Sequence, residues 1–225
     1  ITSAGTLSYD FLISLLKKES VEDILKNNRL VDFSLLKDGI KELNEKRNLV
    51  AIENALDKCY YSRLMQFSKL LPKEGALFRR FLLKEVEVLN IMTLFRLKKA
   101  KFEKAAAKNF IISTGQPRDS LIKSLLDVDD PEELSKALEK TEYRDAISKG
   151  IEEFRKSNSL ITLEASLYKH LLKQSILFMH QHPLSIDVIL GYMFAKDIEV
   201  RNLKIIVKGK QLGLSEDFIE SQLVF

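Results

Sequence analysis

A single cysteine, Cys59, stands in a chain of 225 residues. That count excludes a disulfide framework and a thiolate zinc site, and it points to a reducing compartment. Proline and glycine are scarce, at 4 and 8 residues, which leaves room for long helices. Apolar runs such as residues 188–195 fall far short of the ~20 residues a spanning helix needs, so no direct transmembrane segment is expected. Neither a methionine nor a signal-like segment opens the chain at Ile1, and a natural start upstream of it is expected. An excess of one charge is missing too. Charged residues make up 30% of the chain, yet the net charge is only +4, with Lys and Glu interspersed. Despite a pI near 8.9, this is the pattern of solvated helical faces, and no nucleic acid is expected as a partner. A chain of this length buries about 70% or more of its unfolded surface, enough for one or two domains without a metal.

Motifs of chemistry are also wanting. The segment 208–213 carries Lys208, Gly209, Lys210 and Gly213 but no hydroxyl and no phosphate-loop spacing. Gly209 reads instead as the left-handed end of a helix, with Ser215 capping the next. His170, His180 and His182 lack ligand spacing, and the last two point apart on a helix. Asp127, Asp129 and Asp130 lack the glycine and distal glutamate of a calcium loop, and they suit the start of a helix opening at Pro131. Glu85 with Glu87, and Asp197 with Glu199, diverge by ~200° on a helix and cannot share a proton. Tyr60, Tyr61 and the Phe78 to Phe81 segment with Arg79 and Arg80 read as core beside a solvated face. No catalytic residue, cofactor or metal is expected, and the chain reads as a non-enzyme.

What the chain does have is helical period throughout, with no alternating strand pattern. Tyr9, Leu12, Ile13 and Leu16 form a first amphipathic helix. A second starts at Ser20 and ends near Asn27 and Asn28. One long helical stretch is expected from Asp32 to Leu71, stopped by Pro72. The next helix runs through Glu87 and Asn90 and fades between Lys101 and Lys108. Gly115 and Pro117 break the pattern over residues 111–117. Helix signals then resume, with Asp130 and Pro131 opening one of them.

The second half repeats the first. Gly39 and Gly150, Leu49 and Leu160, Glu53 and Glu164, Leu56 and Leu167, Lys58 and Lys169, and Pro72 and Pro183 all lie 111 apart. One inserted residue later, Glu87 and Glu199, and Asn90 and Asn202, lie 112 apart. The fold class expected is all-α, built of tandem helical repeats of about 110 residues at 1–113 and 114–225. On a helix, Leu83, Glu87, Asn90, Leu94 and Leu97 form one stripe, and Ala195, Glu199, Asn202, Ile206 and Gly209 form its counterpart. Each stripe sets a carboxylate and an amide in apolar company, which is costly unless something hydrogen-bonds them. Two readings follow: each pair ties its helix to a neighbour within the repeat, or the stripes face a shared axis and meet a partner. Arg96, Lys98, Lys208 and Lys210 close the two helices and are candidates to meet acidic partner surface.

Residues 183–210, with the acidic tail helix from Ser215 to Glu220, closely resemble the C-terminal signature of the C subunit of archaeal and bacterial A/V-type ATPases. That family is equivalent to the d subunit of the eukaryotic V-ATPases. Residues 81–98 are similar to the family's preceding repeat. The resemblance implies three such domains in a pseudo-threefold funnel, with the middle and C-terminal repeats present here and the N-terminal one missing. It implies a rotor component at the cytoplasmic face, seated on the membrane proteolipid ring. There it would receive the central shaft, formed by the D and F subunits, and carry torque. A generic helical adaptor is the alternative reading.

Overall fold

The structure, a computed structural model, describes residues 7–28, 31–47, 49–116 and 119–225. Ile1 and Pro117, to which expectations were attached, lie outside them. No strand occurs among the described residues, and the protein is all-α. Contacts divide the chain into two compact units, Ile1–Arg63 and Leu64–Phe225.

The first unit holds α1 (Tyr9–Leu16), α2 (Val21–Lys26), a 3₁₀ turn (Phe33–Leu36), α3 (Lys37–Lys46) and the start of α4 (Leu49–Leu70). Ser20 starts α2 as its sequence suggests, its Oγ accepting the Asp23 N–H at 3.1 Å. Leu25, Leu36, Ile40, Ile52 and Cys59 form the core. The single helix expected from Asp32 to Leu71 is in fact interrupted. Arg47 takes a left-handed conformation, φ 54°, and its N–H closes α3 on the Leu43 carbonyl at 3.0 Å. The chain then folds back, and Gly39 permits the close approach of α3 to α4. A Cβ there would sit 3.0 Å from the Ala51 carbonyl oxygen. Periodicity alone does not reveal such a break, because the apolar face resumes on the far side of it.

The second unit is organised around α5 (Gly75–Lys99). After it come α6 (Lys104–Ala107), α7 (Asp119–Leu126), α8 (Pro131–Leu138), α9 (Arg144–Ser157), α10 (Ile161–Gln181), α11 (Ile186–Gln211) and α12 (Glu216–Ser221). Helices α7, α8, α10 and α11 all pack on α5. Asp130 caps α8 with Pro131 at its first position, the Asp130 side chain accepting the Glu133 N–H at 2.9 Å. The core joins Ile91, Leu94 and Phe95 to Leu125, Leu134, Ile147, Leu163 and Leu167. It therefore draws on both sides of residue 113.

Several backbone features recur at the sequence offset. Asn158 ends α9 in the left-handed region, φ 50°, as Arg47 ends α3. Gly150 lies against Leu163, where a Cβ would come within 2.4 Å of the Leu163 Cα, as Gly39 lies against Ile52. At the end of α5 the Phe102 N–H reaches the Leu97 carbonyl at 2.9 Å, and at the end of α11 the Leu214 N–H reaches Gly209 at 3.0 Å. Both turns pass through a left-handed residue, Lys101 at φ 53° and Gly213 at φ 67°. Gly213, not Gly209, is thus the left-handed glycine. Gly209 is buried inside α11, where the absent side chain admits Ile219 of α12.

Candidate functional site

Asn90 and Asn202 behave alike. The Asn90 side chain donates from Nδ2 to the Ile112 carbonyl and accepts the Ile112 N–H through Oδ1, both at 2.9 Å. Asn202 does the same to Val224, donating at 2.7 Å and accepting at 3.0 Å. Each amide thus grips both polar groups of one residue lying 22 positions further on. An extended backbone residue outside regular structure has no ladder partner for these groups, and a side-chain amide matches them one for one. The two long helices are each bound in this way to the segment that follows them.

The carboxylates differ. Glu87 is buried and lines a small cavity with Asn90, Thr114, Asp119 and Ile122. Glu199 is exposed and bonds Lys196 on its own helix at 2.5 Å. The second stripe is therefore not a buried carboxylate-and-amide pair as its pattern suggested. The reason is coverage: α7 packs over α5, and among the described residues no equivalent helix lies over α11.

The basic ends are mostly engaged. Arg96 forms a two-pronged pair with Glu164 at 2.7 and 2.8 Å, joining α5 to α10. Lys98 is buried and donates to the Leu126 carbonyl at 2.7 Å, closing the C-terminus of α7. Burial pushes its ammonium down, and Lys104 adds to that effect. Lys210 pairs with Glu216 of α12. Lys208 is exposed, and among the described residues it forms no ion pair.

Other ties were not marked in the sequence. Arg80 donates to the buried Asp187 at 2.9 Å and lies over the Phe178 ring at 3.9 Å, linking α5 to α10 and the start of α11. Lys84 pairs with Glu142. Asp119 gathers Ser113, Thr114 and Gly115, and these bonds outweigh burial and hold its carboxyl below the usual range. Arg80 had read as part of a solvated face, and its bond to Asp187 corrects that reading; Glu164 had been marked as the counterpart of Glu53.

The largest contrast is between two faces. Helix α5 buries 14 of its 25 residues, whereas α11 buries 5 of its 26. At the 112-residue offset, Ile91 is 0% exposed and Leu203 55%, and Phe95 is 0% exposed and Val207 64%. Val200 and Met193 are also exposed where Val88 and Phe81 are buried. Together these leave a contiguous apolar face open on α11. Among the described residues no three His, Cys, Asp or Glu side chains converge to hold a metal ion, and no helix is long and apolar enough to cross a membrane.

The model of the ATP synthase (C/AC39) subunit family matches residues 1–222. A curated relative from Methanococcoides burtonii, named as the C subunit of an A-type ATP synthase, is 39% identical over 226 residues, covering 100% of this chain and 61% of its own. The protein of the same name from Methanosarcina acetivorans is 37% identical, over 100% of this chain and 60% of its own. That of Halobacterium salinarum is 28% identical, over 100% and 64%. The chain thus spans 60 to 64% of the length of these relatives. No solved structure matches it.

Proposed function

Because the chain belongs to the ATP synthase (C/AC39) subunit family, we propose that it is a non-catalytic, load-bearing part of the central stalk of a rotary ATPase. In this reading it joins the shaft, made of the D and F subunits, to the proteolipid ring at the cytoplasmic face and passes torque between them. The observation that carries the proposal is the pair of asparagine clamps, which fix two long helices to the segments that follow them. A part that transmits twist needs helices that do not slide, and a two-bonded amide resists sliding in both directions.

The repeats at 1–113 and 114–225 belong to the same proposal. So does a third unit of like build, seated on the open face of α11 as the second repeat's helices are seated on α5. The apolar positions 193, 200, 203 and 207 support it, because their counterparts lie in a packed core. Lys208 is the basic end available to acidic partner surface, since Arg96, Lys98 and Lys210 hold partners within the chain.

Purified D–F shaft and detergent-solubilised ring, each mixed with the chain and followed by size-exclusion chromatography, test the role. Comigration with at least one of them is expected. Failure of both, with the chain folded and with a longer protein carrying three units, would reject the central-stalk reading.

A further inference from the structure

A pocket of about 320 Å³ opens between α9, α10 and residues 221–223. Its volume is at the lower end of what small-molecule sites enclose. Thr162, Ser166, His170 and Lys173 recur at steps of four, four and three along α10, so one face of that helix presents them together. Lys169 adds a second cation from α10, and Lys149 adds a third from α9. Among the described residues these three lysines form no ion pair. Asp145 is the carboxylate in the lining, and Glu142 lies 3.9 Å from His170 Nε2 behind it. That Nε2 is buried and has no hydrogen-bond partner. Ser221 at the end of α12 also lies in the lining, but its hydroxyl donates to the Phe218 carbonyl at 2.7 Å.

The fold does not call for this lining. At the repeat offset, the first half has Asp38 for Lys149, Ala51 for Thr162, Ala55 for Ser166 and Cys59 for His170. Only Lys169 keeps its type, opposite Lys58. With Ser62 for Lys173, these positions carry one cation and one hydroxyl in the first half, beside acid, methyl and thiol groups, against three lysines and two hydroxyls in the second.

We infer that this pocket binds a small phosphate-bearing anion. Three ammonium groups and the hydroxyls of Thr162 and Ser166 can supply donors to a group with several acceptor oxygens, and lysine serves phosphate as a point charge. Among the described residues no Phe, Tyr or Trp lines the pocket, and its one ring is the His170 imidazole, so a nucleobase would find little to stack on. A compact phosphate ester or a phospholipid headgroup matches the site.

Calorimetric titration of the 225-residue chain with glycerol 3-phosphate, and flotation with phosphatidylglycerol against phosphatidylcholine vesicles, separate the two sources. Saturable binding to one of these phosphate probes is expected, with about tenfold loss in the Lys169→Gln, Lys173→Gln double variant. The Lys123→Gln, Lys136→Gln variant removes the same charge elsewhere and should bind as the parent does. The His170 ring-proton resonance should move during the soluble titration if the free ester is the ligand. Flotation that needs Lys169 and Lys173 and is not competed by the ester assigns the site to a headgroup. No saturable binding in either arm, or equal loss in both double variants, overturns the inference.

Discussion

Replacing Asn90 with alanine would leave the N–H and the C=O of Ile112 without their partners in a place closed to solvent. Asn90 is 2% exposed and Ile112 7%. Each orphaned buried group costs about 1–3 kcal/mol, and some relaxation of residues 111–113 is open to the chain, so a loss of about 3 kcal/mol is expected. Asn202→Ala removes the same two bonds, but Asn202 is itself partly exposed. Val224 is itself only 2% exposed, but loss of the partly exposed Asn202 side chain opens its polar groups to water, and about 1 kcal/mol is expected. For a chain of this size, that translates to a fall in Tm of about 6–12 °C for Asn90→Ala and about 2–4 °C for Asn202→Ala. Thermal melts give the totals, and amide exchange supplies the local readout. The Ile112 N–H should lose protection in the first variant and the Val224 N–H in the second. Equal losses, or a larger loss at Asn202, would show that burial around the clamp does not set its worth.

Two further perturbations test the packing and the titration. Gly39→Ala and Gly150→Ala both improve helix propensity by about 1 kcal/mol. The added methyl at 150 would meet the Leu163 backbone at 2.4 Å, whereas at 39 it meets neighbours at 3.0 Å and beyond. Urea unfolding should therefore find Gly39→Ala near neutral and Gly150→Ala destabilised by about 2 kcal/mol. Burial pushes the His170 imidazole below its ordinary value of 6.5, with Lys84 and Lys173 adding to this and Glu142 and Asp145 opposing it. The unfolded chain then binds this proton more readily than the folded one. Stability should fall as pH drops through 6.5 and level off below the folded value. His170→Gln should flatten that part of the pH profile, and an unchanged acid slope would refute the assignment.

The elements that could be read from the sequence were those written in local chemistry. Ser20, Asp130 with Pro131, and Pro72 each mark a helix start or stop by what their own side chains can do. The repeated asparagines were legible as residues in need of partners. Their partners were not, because Ile112 and Val224 are gripped by their main chains, which carry no side-chain signature. The break at Arg47 was hidden for a similar reason. A left-handed residue that is not glycine announces itself only by geometry, although Asn158 at the matching position offered a hint. Glu199 shows the deeper limit. Its stripe has the same spacing as that of Glu87, but spacing describes one helix and burial depends on another. Lys98 likewise read as a charged helix end, and its burial follows from the carbonyl of Leu126 that it reaches.

The dense enclosure of α5 has a consequence in time. Its coat is supplied by residues 119–211, so during synthesis the helix is complete well before most of what covers it has been made. At about 10 residues per second the interval is on the order of ten seconds. Through that window Ile91, Phe95 and their neighbours stand bare in the nascent chain, and a transient chaperone or rapid arrival of α7 and α8 must shield them until α10 and α11 close over the helix.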